Sequence, residues 1–443
     1  MGGHADARRV RLGVVGLLDR HRAVLPSWLA LYYDEPLEFV SASGRRVTAS
    51  DGRTYLDLFA GILTNGVGYD IPEISDAIRA QLDTGVLHSS TLYLIRKQVE
   101  LAERIASLSG IPDAKVFFTC SGTEANEAAL LLATEYRRSS QVLALRNSYH
   151  GRAFATMGIT GNRSWSASAL SPVQVHYVHG GYRYRGPFRN LSDADYVQAC
   201  VEDLVDVLDT GTSGDVACLI AEPIQGVGGF NVPPDGLFAA FQKELSSRGI
   251  LLISDEVQTG WGRTGEHFWG IQAHGVTPDA MTFAKGLGNG LTIGGVVARA
   301  ELMDCLQANS ISTFGGNPVS TSGALATLQY LSDHDLQANC AARGAELLDG
   351  LRALDLPVVG DVRGKGLMIG VELVGPGGEP DAAAAARALE LARENGVLVG
   401  KGGLYGNVLR LAPPMTLTAD EAAEGLVALR AALQAVQDEV VPG

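Results

Sequence analysis

Short apolar runs that stop abruptly at charged residues mark the middle of the chain. Residues 249–254 are followed by Asp255, and residues 280–284 are followed by Lys285, thirty positions further along. Both runs are too short and too sharply bounded for helices, and they are typical of strands buried on both faces of a parallel sheet. Because open α/β folds bind ligands at the carboxyl edge of such sheets, Asp255 and Lys285 are predicted to reach one ligand site.

The alternation of strands and helices extends over residues 96–320. The pattern predicts a helix in 124–138, and further strands in 115–119, 142–145 and 217–221. Such alternation is typical of a parallel sheet covered by helices, so the predicted fold class is α/β.

The pattern changes after Pro318. Long stretches rich in Ala and Leu predict helices in 319–332, 335–354, 381–395 and 420–436, with strands in 367–371 and 408–411. A capping box, Thr418 with Glu421, is expected to start the last helix. The C-terminal part therefore predicts a second, smaller α/β domain.

The N-terminal part carries a weaker pattern. Arginines at 8, 9 and 11 precede an apolar run in 12–18, and no small-residue cleavage site follows. We interpret this run as an amphipathic segment and not as an export signal. Further on, Gly44 is predicted to turn a hairpin of residues 39–43 and 46–48, ahead of a strand in 55–59.

The composition narrows the class of partner. A chain of 443 residues can bury a large core, and 46% apolar with 19% charged residues is typical of a globular protein. The net charge of −14 argues against nucleic acid or an anionic membrane as the main partner, and no apolar stretch is long enough to span a bilayer. The five cysteines are scattered and the nine histidines lack ligand spacing, so we expect no disulfide framework, no metal and a cytoplasmic location.

A candidate anion site lies where the strand in 115–119 meets the next helix. Ser121, Gly122 and Thr123 would offer backbone N–H groups, a helix dipole and two hydroxyls, and Gly122 would let a phosphate approach the backbone. An ordinary N-cap explains the same residues. The glycine-rich segment 286–290 matches neither a dinucleotide nor a P-loop signature, so a generic nucleotide-binding protein is unsupported.

Two weaker segments could complete a ligand site. Tyr149, followed by His150, comes after the strand in 142–145, where an aromatic ring can lie flat on a planar cofactor; core packing is the commoner explanation. Thr313 precedes a glycine pair, and either donates to a phosphate or belongs to a plain turn.

Arg410 is a lone cation in the apolar run 408–411. A guanidinium there requires an anionic partner, and a planar carboxylate fits its fork bidentately. Glu222, at the end of the strand in 217–221, is an alternative internal partner. Both pairings could hold in turn, with Glu222 masking Arg410 when the bound end of a substrate is uncharged.

Together these segments resemble the class III pyridoxal-phosphate aminotransferases, the ω-aminotransferase group of fold type I. The resemblance spans about residues 35–435 and rests on seven ordered motifs: SGTEAN, YHG, EPIQG, DEVQTGWGRTG, AKGLGNG, TFGGNP and RLAPP. The segments HFWG and VLVGKGGLYGNVLRLAPPM are most similar to the mitochondrial-type alanine–glyoxylate aminotransferase branch. Such a fold implies an N-terminal segment (1–60) that packs with the small domain, a large cofactor-binding domain (61–320) and a small C-terminal domain (321–443).

The resemblance also implies a role for each candidate. Lys285 would be the Schiff-base lysine for pyridoxal 5'-phosphate, and Asp255 the catalytic partner of its pyridine nitrogen. Gln258 would bond the phenolic oxygen of the cofactor, and Arg410 would bind a substrate carboxylate, gated by Glu222. The expected cofactor contacts are Ser121, Gly122, Thr123, Tyr149, His150, Glu222, Asp255, Val257, Gln258, Lys285 and Thr313.

The family further implies a homodimer, or a tetramer, with Thr313 reaching the phosphate across the interface. One segment departs from the family: residues 68–72 read Gly-Tyr-Asp-Ile-Pro where relatives often have Gly-His-x-His-Pro. With Ile62 nearby, this segment is expected to shape the substrate pocket, which leaves the substrate undetermined.

The expected activity is ping-pong transfer of an amino group from an amino acid or ω-amine to pyruvate, glyoxylate or 2-oxoglutarate. The cofactor site alone does not separate this outcome from a lyase, including a phospho-lyase, or a racemase of the same fold. A non-catalytic protein that retains the pocket is a weaker alternative, because binding alone does not need an electron sink.

Overall fold

The computed structural model describes residues 16–440. Arginines 8, 9 and 11 and most of the predicted amphipathic run therefore lie outside the described residues. The N-terminal part contains one helix, α1 (Leu17–Val24), and the predicted hairpin, β1 (Phe39–Ser43) with β2 (Arg46–Ala49). A third strand, β3 (Thr54–Asp57), stops two residues earlier than predicted. The reason is that the Asp57 carboxylate accepts the next two free backbone N–H groups at 2.8 and 2.9 Å and turns the chain.

The middle of the chain alternates helices and strands as predicted. In order, the elements are α2 (Ala60–Leu63), α3 (Pro72–Asp83), α4 (Arg96–Ser109), β4 (Ala114–Thr119), α5 (Gly122–Arg137), β5 (Gln141–Leu145), α6 (Phe154–Gly158), β6 (Gln174–Val178), α7 (Asp193–Asp206), β7 (Val216–Ala221), α8 (Leu237–Ser247), β8 (Leu251–Asp255), β9 (Ala280–Phe283), β10 (Gly294–Arg299) and α9 (Ala300–Met303). Strand β8 begins later than the apolar run because Gly249 turns the chain with φ +67°.

The seven central strands form one sheet in the order β4-β10-β9-β8-β7-β5-β6. Strand β10, which the sequence pattern did not single out, runs antiparallel to both of its neighbours. The other six strands therefore share one direction, and the sheet is mostly parallel. As a result, β4, β5, β7, β8 and β9 all end at the same edge of the sheet.

Both faces of this sheet are covered. Leu143 and Leu219 pack in a core that includes residues of α7 and α8, whereas their neighbours Ala144 and Ile220 pack against α5. Alternate side chains of a strand point to opposite faces, so both sets must be apolar. This explains the continuous apolar runs in the sequence.

The C-terminal part contains the predicted helices and strands. It comprises α10 (Pro318–Asp333), α11 (Leu336–Arg352), β11 (Val359–Lys365), β12 (Met368–Leu373), α12 (Ala382–Glu394), β13 (Val397–Leu398), β14 (Gly400–Gly402), β15 (Val408–Leu411) and α13 (Ala419–Val440). The antiparallel sheet here has the order β11-β12-β15-β14. The capping box is confirmed, since Thr418 N donates to Glu421 Oε2 at 3.0 Å and Glu421 N donates to Thr418 Oγ1 at 3.2 Å.

The N-terminal hairpin is attached to this C-terminal part. Strand β3 pairs in parallel with β13, and Arg45 forms an ion pair with Glu421 at 2.8 Å. Within residues 16–440, no helix is both long and apolar enough to cross a membrane.

Candidate functional site

Most of the predicted site residues lie at the carboxyl edge of the central sheet. Ser121 follows β4, Tyr149 follows β5, and Glu222 follows β7 directly. Asp255 is the last residue of β8, and Lys285 stands two residues beyond the end of β9. This edge therefore brings together one amine, two carboxylates and one phenol ring, as the strand-end pattern predicted.

Asp255 is held by a dense hydrogen-bond network. Its Oδ2 accepts from Asn126 Nδ2 at 2.8 Å and lies 2.8 Å from His150 Nδ1, while its Oδ1 accepts from Val257 N at 3.1 Å. Asp255 is 3% exposed and His150 is 2% exposed. A buried carboxylate with three fixed neighbours cannot rotate freely, so its orientation toward a ligand is preset.

Asn126 and Thr282 belong to this network, although sequence reasoning assigned neither a role. Thr282 Oγ1 donates to Asn126 Oδ1 at 2.6 Å, and Asn126 Nδ2 also donates to the carbonyl of His150 at 2.8 Å. Thr282 lies opposite Asp255 in the β8–β9 pairing. The spacing of the sequence could have pointed to Asn126. It lies four residues after Gly122, about one helical turn, and therefore on the same face of the helix as the predicted anion site.

Lys285 is partly buried and adopts an unusual backbone conformation. Its φ is +45°, in the left-handed region that costs a non-glycine residue about 1 kcal/mol. Burial lowers the pKa of Lys285 to about 8, and the positive charge of Arg410 adds to this, against the opposing effect of Asp255 and Glu222. Among the described residues its amine forms no ion pair, so it is free to react.

Glu222 is buried and carries a raised pKa. Its Oε2 accepts from Tyr149 N and its Oε1 from Gly226 N, both at 2.9 Å. Burial raises the pKa of Glu222 to about 7, with a further contribution from Asp255, whereas His150 and the two backbone donors lower it. At neutral pH this carboxyl group can therefore exist in either protonation state.

Arg410 is 1% exposed and lies between two aromatic rings. Its guanidinium carbon is 4.9 Å from the ring centroid of Phe59 and 5.5 Å from that of Phe230. It donates only to the carbonyls of Gly226 at 3.3 Å and Lys401 at 3.2 Å, and within the described chain it has no carboxylate partner. The alternative ion pair with Glu222 is not formed here, which leaves a buried cation available to a ligand.

At the predicted anion site, the backbone of each of two glycines lies close to another segment of the chain. A Cβ at Gly122 would lie 2.9 Å from a methyl group of Val257, and a Cβ at Gly151 would lie 2.6 Å from the hydroxyl of Thr123. Ser121 caps α5, because its hydroxyl accepts from Glu124 N at 3.2 Å. The capping interpretation thus holds for Ser121, while Gly122 leaves its own backbone open at the helix start.

Two buried polar atoms at this edge lack partners within residues 16–440. They are Gln258 Oε1 and His150 Nε2. Buried polar groups are normally satisfied, so these atoms indicate a polar ligand. Together with the glycine junction and the preset Asp255, they fit a planar, phosphate-bearing cofactor such as pyridoxal 5'-phosphate.

The remaining candidates lie at the rim. Tyr149 packs edge-on against Trp165, with ring centroids 5.7 Å apart. Ile62 is 47% exposed on a turn that also contains Phe59, the ring beneath Arg410. Thr313 is exposed, and its hydroxyl makes no hydrogen bond to the described part of its own chain.

Comparison with known proteins gives a consistent result. The family model Aminotransferase class-III matches residues 32–433. The chain is 40% identical over 413 residues to alanine–glyoxylate aminotransferase 2 homolog 2, mitochondrial, of Arabidopsis thaliana, covering 92% of this chain and 84% of that protein. It is 38% identical over 410 residues to an acetylornithine aminotransferase of Mycolicibacterium smegmatis, covering 92% of this chain and 96% of that protein. An amine transaminase from an uncultivated Pseudomonas species, solved in its PLP-bound form, matches with a TM-score of 0.85 and 31% identity, covering 93% of this chain and 98% of that one.

Proposed function

The chain belongs to the class III aminotransferases and is a pyridoxal-phosphate-dependent enzyme, and we propose that its amino transfer depends on Lys285 and Asp255. The observation that supports this assignment is their placement. An amine with a pKa lowered to about 8 and a carboxylate fixed by three neighbours stand at the ends of adjacent strands.

Pyridoxal phosphate, when bound, supplies an aldehyde that condenses with amines and a ring that accepts the electron pair released at the substrate carbon. Lys285 Nζ would hold the cofactor and, once freed, would take a proton from the substrate carbon and deliver it to the carbon that carried the aldehyde of the cofactor. Since its pKa is about 8, about a tenth of this amine is neutral at pH 7, compared with well under a thousandth for an ordinary lysine.

Asp255 would pair with the protonated pyridine nitrogen, held in place by Asn126 and His150. Gln258 would donate its side-chain amide N–H to the phenolic oxygen of the ring; its Oε1 is unpartnered within the described chain. Gly122 and Thr123 would receive the phosphate, with Tyr149 and Val257 on the two faces of the ring. These roles rest on the fit of the residues and on the family resemblance.

We propose amino acids or ω-amines as donors and pyruvate, glyoxylate or 2-oxoglutarate as acceptors. The dehydrated guanidinium of Arg410 fits the carboxylate of an amino or keto acid. Ile62 lies at the rim and would contact the rest of the substrate. Relatives named for alanine and glyoxylate and for acetylornithine support the same substrate class.

We propose that each chain divides into an N-terminal segment (1–60), a large domain (61–320) and a small domain (321–443). The proposed assembly of these chains is a homodimer. Large apolar side chains are exposed beside Thr313 and in the segment after His88, whose ring centroid lies 5.2 Å from that of Phe314: Leu92, Tyr93, Leu94 and Phe314 are 61–97% exposed. Such a patch favours a protein interface. A cytoplasmic location is proposed because all five cysteines are free.

The decisive test is Lys285→Ala. We expect turnover to fall by more than about 10⁴-fold, because the residue that holds the cofactor and moves the proton is lost. In the cofactor-free parent enzyme, the rate of recombination with added pyridoxal phosphate should rise as the pH increases through about 8, since the neutral Lys285 amine is the nucleophile. Turnover is measured with alanine as the donor and glyoxylate as the acceptor, and bound cofactor by its visible absorbance.

Lys243→Ala is the matched control, because Lys243 is exposed on α8, away from the sheet edge. Retention of turnover and of the visible band by Lys285→Ala would falsify the assignment. A panel of amino donors, each assayed with and without a keto acid, then distinguishes an aminotransferase from a lyase. Release of ammonia without an acceptor would indicate a lyase.

A further inference from the structure

A large open cleft lies outside the cofactor site. It has a volume of about 1100 Å³ and lies between the segment after β6, strand β11 and the turn that joins β14 to β15. Neither Lys285, Asp255 nor Gln258 lines it. Its walls carry four arginines and two tyrosines: Arg183, Arg185, Arg189, Arg363, Tyr184 and Tyr405.

The guanidinium groups of the cleft outnumber the carboxylates that face them. Arg185 pairs with Glu372 at 2.6 Å, and Arg363 pairs with both Asp361 at 2.6 Å and Glu372 at 2.9 Å. Arg183 pairs with Asp193. Among the arginines that line the cleft and the carboxylates paired with them, four cations therefore stand against three anions.

The surplus cation is Arg189. It is exposed, and it forms no ion pair with any described residue. A local positive surplus in a chain of net charge −14 cannot be a consequence of overall composition.

The walls also give the cleft a preformed shape. Glu372 is fully buried behind the arginines and additionally accepts from Tyr182 Oη at 2.9 Å, so Arg185 and Arg363 are fixed from behind. The Arg185 guanidinium carbon lies 4.9 Å from the ring centroid of Tyr184. Guanidinium groups held in this way are suited to bidentate recognition of phosphate or carboxylate.

We propose that this cleft is a second ligand site, which binds a small, multiply charged anion bearing phosphate or carboxylate groups and modulates the active site. Arg189 and Arg183, at the open rim, would supply the accessible contacts. Arg185 and Arg363, which are held in place by Glu372, would make the electrostatic potential at the bottom of the cleft positive.

A chain of hydrogen bonds joins the cleft to the substrate site. Arg363 Nε donates to the carbonyl of Gly229 at 3.0 Å, and Gly229 N donates to the carbonyl of Gly226 at 3.1 Å. That same carbonyl accepts from Arg410, and Gly226 N donates to Glu222 at 2.9 Å. Because Arg363 holds the carbonyl of Gly229, an anion bound beside Arg363 would therefore act on the turn that positions both Arg410 and Glu222.

The test uses the cofactor-loaded enzyme at low ionic strength. Pyrophosphate and citrate are titrated separately by calorimetry, which distinguishes a phosphate from a carboxylate ligand. At least one of these two anions should bind with a stoichiometry of one anion per chain. Arg189→Glu should weaken that binding about 10- to 100-fold, the effect expected for losing a hydrogen bond to a charged group. Arg430→Glu, an exposed arginine on α13, is the control for the change in net charge and should leave binding within about two-fold.

The coupling is tested by the KM for the amino donor in the presence of the binding anion. We expect KM to change at least two-fold in the parent enzyme and in Arg430→Glu, and not in Arg189→Glu. Failure of both anions to bind, or equal binding by both variants, would refute the site. Binding with an unchanged KM would refute the modulation. Neither result bears on Lys285, so the proposed function is tested separately.

Discussion

The charged side chains of the candidate active site are wholly or partly buried, and their polar partners only partly replace the water that they lose. Lys285 and Glu222 respond by shifting their pKa values toward neutrality, to about 8 and about 7, because burial penalises the charged form of each. Arg410 cannot lose its proton near neutral pH and instead remains a buried cation with two carbonyl partners. The site therefore contains two groups, Lys285 and Glu222, whose pKa values lie near neutral pH, and one permanent cation, Arg410, that can bind an anionic ligand.

Asn126 is expected to act as a positioning residue for Asp255. In Asn126→Ala, Asp255 loses one of its three neighbours and Thr282 loses its acceptor, so the carboxylate should be less well oriented. We expect kcat to fall about 10- to 100-fold, the effect typical of a lost supporting contact, while cofactor stays bound. The pH dependence of the visible cofactor absorbance should also shift, because the partner of the ring nitrogen has moved.

The control for this prediction is Asn162→Ala. Asn162 is also fully buried and hydrogen-bonded, but to Asn147 and Ser164. It should lose stability without a spectral shift. An equal spectral response in both variants would show that Asn126 has only a structural role.

Among the elements, α2 is the most strained. All four of its residues, 60–63, have positive φ, between +50° and +64°, and three of them are not glycine. Left-handed backbone costs such residues about 1–2 kcal/mol each. The turn is tied down by Asp57, whose carboxylate accepts the N–H groups of Phe59 and Ala60. This strain places Phe59 beneath Arg410 and Ile62 at the rim of the site.

A pair of alanine-to-glycine substitutions measures this strain. Ala60 has φ +50°, and Ala129 lies within α5; both are at most 1% exposed, so each variant loses one similarly buried methyl group. Ala129→Gly should lower the free energy of unfolding by about 2 kcal/mol, from the lost methyl and the helix propensity. Ala60→Gly should be close to neutral or stabilising, because glycine relieves the backbone. Equal destabilisation of both variants, measured by urea unfolding of the cofactor-loaded enzyme, would contradict this account.

At the scale of the whole molecule, Thr313 and a group of large apolar side chains are both exposed on the surface of one chain. Thr313 is predicted to serve the partner subunit, and Leu94 beside this region is 97% exposed. A patch that includes Leu92 and Tyr93, both more than 70% exposed, would be covered by a second copy of the chain.

Hybrid dimers test the exchange of Thr313 directly. A Lys285→Ala chain and a Thr313→Ala chain, each with a different affinity tag, are refolded or co-expressed and the hybrid is purified. If Thr313 acts across the interface, one of the two sites regains both residues, and activity should reach about half of the parent value. If Thr313 acts within its own chain, the hybrid should not exceed half the activity of the Thr313→Ala homodimer.

Several features of the fold were predictable from local sequence pattern. The ends of β7, β8 and β9 were placed at or near Glu222, Asp255 and Lys285, since a buried strand must be apolar and its first charged residue marks the edge. The helix start at Gly122 and the capping box at Thr418 are likewise local, because both depend on residues within one turn of each other.

What the tertiary structure decided depends on contacts between distant segments. The antiparallel placement of β10, the link from Thr282 through Asn126 to Asp255, and the aromatic pair around Arg410 each join residues that no local period connects. The cationic cleft likewise joins the segment after β6 to β11. Periodicity reports which face of an element is buried, whereas the identity of the facing partner is fixed only when the whole chain packs.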